Sequence, residues 1–86
     1  MFSKELFGTR LREIRKKQRE TQEGLAAVLG VSHVQISDME KGKKTTTLEK
    51  FALICEHYQG SAYYLLGLSD GPTPINNPKS ETQFRG

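Results

Sequence analysis

Apolar residues return along the chain at helical intervals. Phe7, Leu11 and Ile14 stand at i, i+4 and i+7, on one stripe of a helix. Ser3 is placed to cap that helix, which the pattern ends near Gln18 or Arg19. Leu25, Val28 and Leu29 share the face of a second helix, headed by Thr21. Gly30 follows at the position where a positive φ is cheap only for glycine. Ser32 opens a third segment with Gln35 three residues on, a capping-box pattern. Ile36 and Met39 supply its apolar face and Gly42 its stop. Thr47 heads a fourth helix bearing Leu48, Phe51, Ala52, Ile54 and Cys55. Ser61 heads a short fifth with Tyr64, Leu65 and Leu66, closed by Gly67. Val34 and Ile36 also alternate as in a strand. The cap before them and the glycine after them bracket one helical piece instead, and a lone strand would have no partner. The pattern therefore predicts an all-α chain of five short helices.

The 86 residues allow one domain with a modest core, too little for a barrel or a two-domain enzyme. All three prolines (Pro72, Pro74, Pro78) fall after residue 70. This predicts a folded domain over 1–69 and a flexible tail or linker over 70–86, with Ile75 and Phe84 its only large apolar residues. Cys55 is the lone cysteine, so no intramolecular disulfide forms, which suits a reducing, cytoplasmic setting. No apolar run approaches the roughly 18 residues of a membrane span. The first residues lack the apolar core of a signal peptide. Net charge is a mild +3, so its location matters more than its size. Arg10, Arg12, Arg15, Lys16, Lys17 and Arg19 cluster with only Glu13 against them, and Lys41, Lys43 and Lys44 form a second group. Such clusters either meet an anionic polymer or form a solvated helix face.

The window from Gln22 to Lys41 is more specific. Two helices crossing at about 90–120° through a short turn need a small residue where they approach, and Ala26 supplies it. Gly30 supplies the left-handed turn residue. Ile36 and Met39 bury one face of the second helix on the first. The opposite face then carries His33, Val34, Gln35, Ser37 and Asp38. A helix of roughly nine residues is about 13 Å long and fits a major groove about 12 Å wide.

These residues resemble the phage repressor and Cro-like class of helix-turn-helix DNA-binding domains, the XRE family. The similarity runs from Phe7 to Leu68, carried by LREIRKKQRETQEGLAAVLGVS, QISDMEKGKK and TLEKFALICEHY. It implies a compact five-helix, lambda-repressor-like domain. It implies base readout by His33, Val34, Ser37 and Asp38, with Val34 placed for a thymine methyl. Gln22, Ser32, Gln35, Lys43 and Lys44 become the phosphate contacts, Gln35 equally serving as a cap. Arg15 and Glu40 match an internal ion pair of relatives, which takes Arg15 out of the DNA patch. The sequence departs from the family pattern at four places. Arg19-Glu20 stands where relatives usually have Gly-Leu, Gly24 replaces a common acidic residue, Asp38 is unusual on a surface facing phosphates, and Gln59-Gly60 shifts a usual Gly-Val.

The expected function is a sequence-specific, double-stranded-DNA-binding regulator, by default a repressor. One module has too few base contacts for much specificity, so a homodimer on a pseudo-palindromic site is expected, joined through Tyr63, Tyr64, Leu66, Leu68 and Ile75. Tyr58, Tyr63 and Tyr64 then read as packing or interface residues. Cys55 reads as a small core residue, and with His57 it lacks the second ligand pair that zinc needs. No metal or cofactor is expected. Nor does any nucleophile–base pair, phosphate-binding glycine loop or carboxylate pair point to catalysis. Two other readings use the same fold: an antitoxin or similar module whose partner is a protein, and the DNA-binding half of a longer repressor.

Overall fold

The computed structural model describes residues 1–70. They form five helices: α1 (Lys4–Lys17), α2 (Gln22–Leu29), α3 (His33–Glu40), α4 (Leu48–Tyr58) and α5 (Ala62–Leu66). The stretch that also alternated like a strand is α3. Tail residues 71–86, with Ile75 and Phe84, lie outside the described residues.

Each helix opens on a hydroxyl cap, which occupies a backbone N–H that the helix leaves without a partner. Ser3 accepts from the amide of Leu6, Thr21 from Gly24, Ser32 from Gln35, Thr47 from Lys50 and Ser61 from Tyr64. The C-terminal ends are less uniform. Gly30 (φ 69°), Gly42 (φ 78°) and Gly67 (φ 83°) take the left-handed conformation, and so do two residues with side chains, Arg19 (φ 56°) and Gln59 (φ 50°). Both fall at the points where the sequence departs from the glycines of the family it resembles. The first turn keeps its left-handed shape there without the glycine that would adopt it cheaply.

The core joins Phe7 and Leu11 of α1, Leu25, Ala26 and Leu29 of α2, Ile36 and Met39 of α3, Ile54 and Tyr58 of α4, and Leu65 of α5. Ile14 and Cys55 pack on its margin. α1 packs chiefly on α3 and α5, and α2 on α3 and α4. Three residues assigned to buried faces lie outside: Val28, Ala52 and Leu48, the last 82% exposed. α2 has only eight residues and turns Leu25, Ala26 and Leu29 inward, which leaves Val28 on the flank. Leu48 is the first residue of α4, beyond the reach of the core.

α1 approaches α3 closely at Gly8. A Cβ there would collide with the carbonyl oxygens of Met39 and Glu40. A glycine in a helix interior ordinarily weakens it; here it lets α3 seat against α1. Arg10, counted with the basic cluster, turns the other way. Its Nη1 donates to the carbonyls of Tyr64 (2.6 Å) and Ser69 (2.8 Å), and its guanidinium lies 4.1 Å from the centre of the Tyr64 ring. It fastens α5 and the following residues to α1.

Candidate nucleic-acid interface

The α2–α3 unit is held by its own backbone. The amides of Gly30 and Val31 both reach the Ala26 carbonyl, which closes α2 and redirects the chain within two residues. Ser32 and Gln35 complete a capping box: Ser32 Oγ accepts from the Gln35 amide at 3.3 Å, and Gln35 Oε1 accepts from the Ser32 amide at 3.2 Å. The Gln35 carbonyl oxygen thus serves the helix itself.

α3 buries Ile36, Met39 and Glu40 and presents Ser32, His33, Val34 and Gln35 at its head. Val34 is 56% exposed although apolar. Ser37 and Asp38 follow one turn on, each half-buried. After α3 the amides of Lys43 (2.9 Å) and Lys44 (3.4 Å) both donate to the Asp38 carbonyl, and both side chains are exposed. Gln35 of the α3 head and Lys44 after it line one cleft, and α3 is about 12 Å long at eight residues.

Arg15 and Glu40 meet in a bidentate pair. Nε donates to Oε2 at 2.6 Å and Nη2 to Oε1 at 2.9 Å, with the side chains 9% and 2% exposed. The hydrogen bond to Glu40 pushes the Arg15 guanidinium above its ordinary range against the opposing pull of burial. Arg15 Nη1 also donates to the Glu20 carbonyl at 2.7 Å, so one guanidinium ties α1, the first turn and α3. Gln22 is half-buried, and its Nε2 donates to Glu40 Oε1 at 3.1 Å. A cleft of about 350 Å³ opens there, lined by Arg12, Gln22, Ser37, Glu40 and Lys41. Sequence reasoning left Arg12 and Lys41 as members of charge clusters. Nothing local in the sequence marks these two as neighbours: they are 29 residues apart, and only the packing of α1 on α3 brings them to one cleft.

A second polar knot joins the first turn to the end of α4. Glu20 accepts from the Tyr58 hydroxyl and lies 2.9 and 3.0 Å from His57 Nε2. Burial first, then the Glu20 hydrogen bond, drives the Tyr58 phenol well above its usual range, so it remains a donor. Gly24 leaves the space: a Cβ there would come within 3.0 Å of the Glu20 side chain. Glu20 and Gly24, separate departures in the sequence, are one packing arrangement.

Among the residues assigned to a dimer surface, Tyr63 (53%) and Leu68 (63%) are exposed and Leu66 is half-buried. Tyr64 is different. It is buried, and its hydroxyl donates to Glu13 Oε1 at 2.6 Å. Its ring lies beneath Arg10, so its groups are engaged within the domain. Ile75 lies outside the described residues. Among the described residues no helix is long and apolar enough to cross a membrane.

Comparison with known proteins gives the same arrangement a wider setting. Over 79 residues the chain is 32% identical to an uncharacterized HTH-type transcriptional regulator, YobD of Bacillus subtilis (strain 168), covering 92% of this chain and 70% of that protein. Among solved structures it is similar to the P22 c2 repressor in complex with a synthetic operator (TM-score 0.69, 34% identity, 74% of this chain and 97% of that one). It is also similar to the clp gene regulator ClgR of Corynebacterium glutamicum (TM-score 0.68, 28% identity, 81% and 90%). The helix-turn-helix family pattern matches residues 11–65, from the apolar stripe of α1 to the buried Leu65 of α5. With that match over most of the folded chain and a regulator 32% identical over 92% of it, the chain belongs to the XRE-type helix-turn-helix family of transcriptional regulators.

Proposed function

We propose that this chain is a sequence-specific duplex-DNA-binding regulator that represses as a cytoplasmic homodimer on a pseudo-palindromic operator. The observation that carries the reading is Val34, an exposed apolar side chain at the head of a capped, outward-facing helix, with His33 beside it and lysines after it. An exposed valine there gains by packing on a thymine methyl in the major groove, while His33 donates to a base edge or a phosphate. Ser37 and Asp38 extend the readout by a turn, with Asp38 suited to accept from a cytosine amino group. Gln22, Ser32, Lys43 and Lys44 hold the backbone, and Gln35 presents the helix by capping it. The likeness to a repressor bound to its operator supports the same docking. Tyr63, Leu66 and Leu68 form the dimer surface, which sets half-sites about 34–36 Å apart.

The test is a His33→Ala/Val34→Ala double variant, measured on duplexes enriched from a random library and on duplexes of mixed sequence. The variant is expected to lose its preference for the enriched duplexes and to keep its affinity for mixed ones. Retained preference contradicts the assignment of base readout to these residues. A chain that binds neither DNA class before mutation favours a protein partner instead.

A further inference from the structure

We infer that Glu40 is a positioning residue that fixes the Gln22 amide for its phosphate contact, so the Arg15–Glu40 pair does more than join α1 to α3. The inference rests on the reading of Gln22 given above. A glutamine amide rotates, and its two ends differ only in hydrogen-bonding sense: the nitrogen donates and the oxygen accepts. An ionised carboxylate only accepts. Glu40 therefore selects one orientation, with Nε2 turned toward its Oε1 at 3.1 Å. The nitrogen keeps a second proton, and Gln22 lines the cleft together with the cations Arg12 and Lys41. Glu40 in turn has no freedom, because Arg15 grips both its oxygens and the pair is almost wholly buried. Arg15 also offsets the Glu40 charge, which lets a carboxylate stand near a phosphate path without repelling it.

Two plainer accounts predict other results. If Glu40 acted only through its charge, Glu40→Gln would strengthen DNA binding, because a negative group is lost. If it acted only through stability, the variant would weaken binding whatever stood at position 22. Positioning predicts a loss that requires Gln22.

The experiment is a double-mutant cycle of Glu40→Gln and Gln22→Ala, with circular dichroism to establish that each protein is folded at the assay temperature. Binding is read by fluorescence anisotropy on a labelled duplex of mixed sequence, at about 50 mM salt where phosphate contacts dominate. Glu40→Gln is expected to weaken binding about tenfold, the scale of one net hydrogen bond, and to have an effect of under about twofold beside Gln22→Ala. Unchanged or tighter binding by Glu40→Gln overturns the inference. So does an equal loss in both backgrounds. If Gln22→Ala alone leaves affinity unchanged, the phosphate reading of Gln22 itself fails and the inference falls with it. Should Glu40→Gln not fold, Arg15→Lys replaces it in the same cycle, since lysine keeps the charge but not the two-pronged hold. The expected pattern is the same, with a smaller loss.

Discussion

Val34 and Arg19 each depart from the usual preference of their residue type, one by exposure and one by backbone conformation. Val34 exposes an apolar side chain where a helix packed on its own core has no use for one. Replacing it by alanine should change stability by no more than about 0.5 kcal/mol, as at other exposed sites, while discrimination between duplexes falls. Arg19 instead holds a left-handed backbone at φ 56°. Arg19→Gly relieves a strain of about 1–2 kcal/mol but enlarges the freedom of the unfolded chain. A net gain of up to about 1 kcal/mol is expected in thermal unfolding, and a loss contradicts the strain account. The helix-turn-helix spacing made His33 and Val34 legible as outward-facing positions, since Ile36 and Met39 fix which face is inward. Arg10 was not legible. A positive charge in sequence does not show its direction, although its place three residues after Phe7, beside the apolar stripe, carried the hint.

At the scale of elements, all five helix starts were legible because a cap is a local signal: one hydroxyl and an amide three residues on. Buried faces were less so. Val28 and Leu48 fit the helical period but sit on the flank or first turn of short helices, where period alone does not determine burial. The helix–helix distances were not legible at all. Gly8 reads as a weak spot within α1, yet the backbone of α3 occupies the place of its missing side chain. Gly8→Ala should therefore destabilise the domain by about 1–3 kcal/mol despite the better helix propensity of alanine. Thermal melting checks this, and an unchanged or higher Tm contradicts the close approach. The Glu20–Tyr58–His57 knot escaped for the same reason: its partners are 37 and 38 residues apart, and only the fold brings them together.

For the whole molecule, the sign and place of charge decide more than the total. A net +3 is small, but Lys43 and Lys44 are both exposed directly after α3, and Lys44 lines a cleft with Gln35 of the α3 head. Lys43→Ala and Lys44→Ala should each weaken binding on every duplex alike and reduce the slope of log affinity against log salt by about 1. A loss confined to one sequence class contradicts their role as backbone contacts. Readout of sequence by α3 in a two-fold arrangement is what all of these expectations share. The most direct test is selection from a random duplex library with the full chain at about 50 and 200 mM salt. An inverted repeat with half-site centres about 10 base pairs apart is expected to be enriched, with affinity that falls steeply between the two salts. Salt-sensitive binding with no enriched sequence, or no binding at either salt, contradicts it.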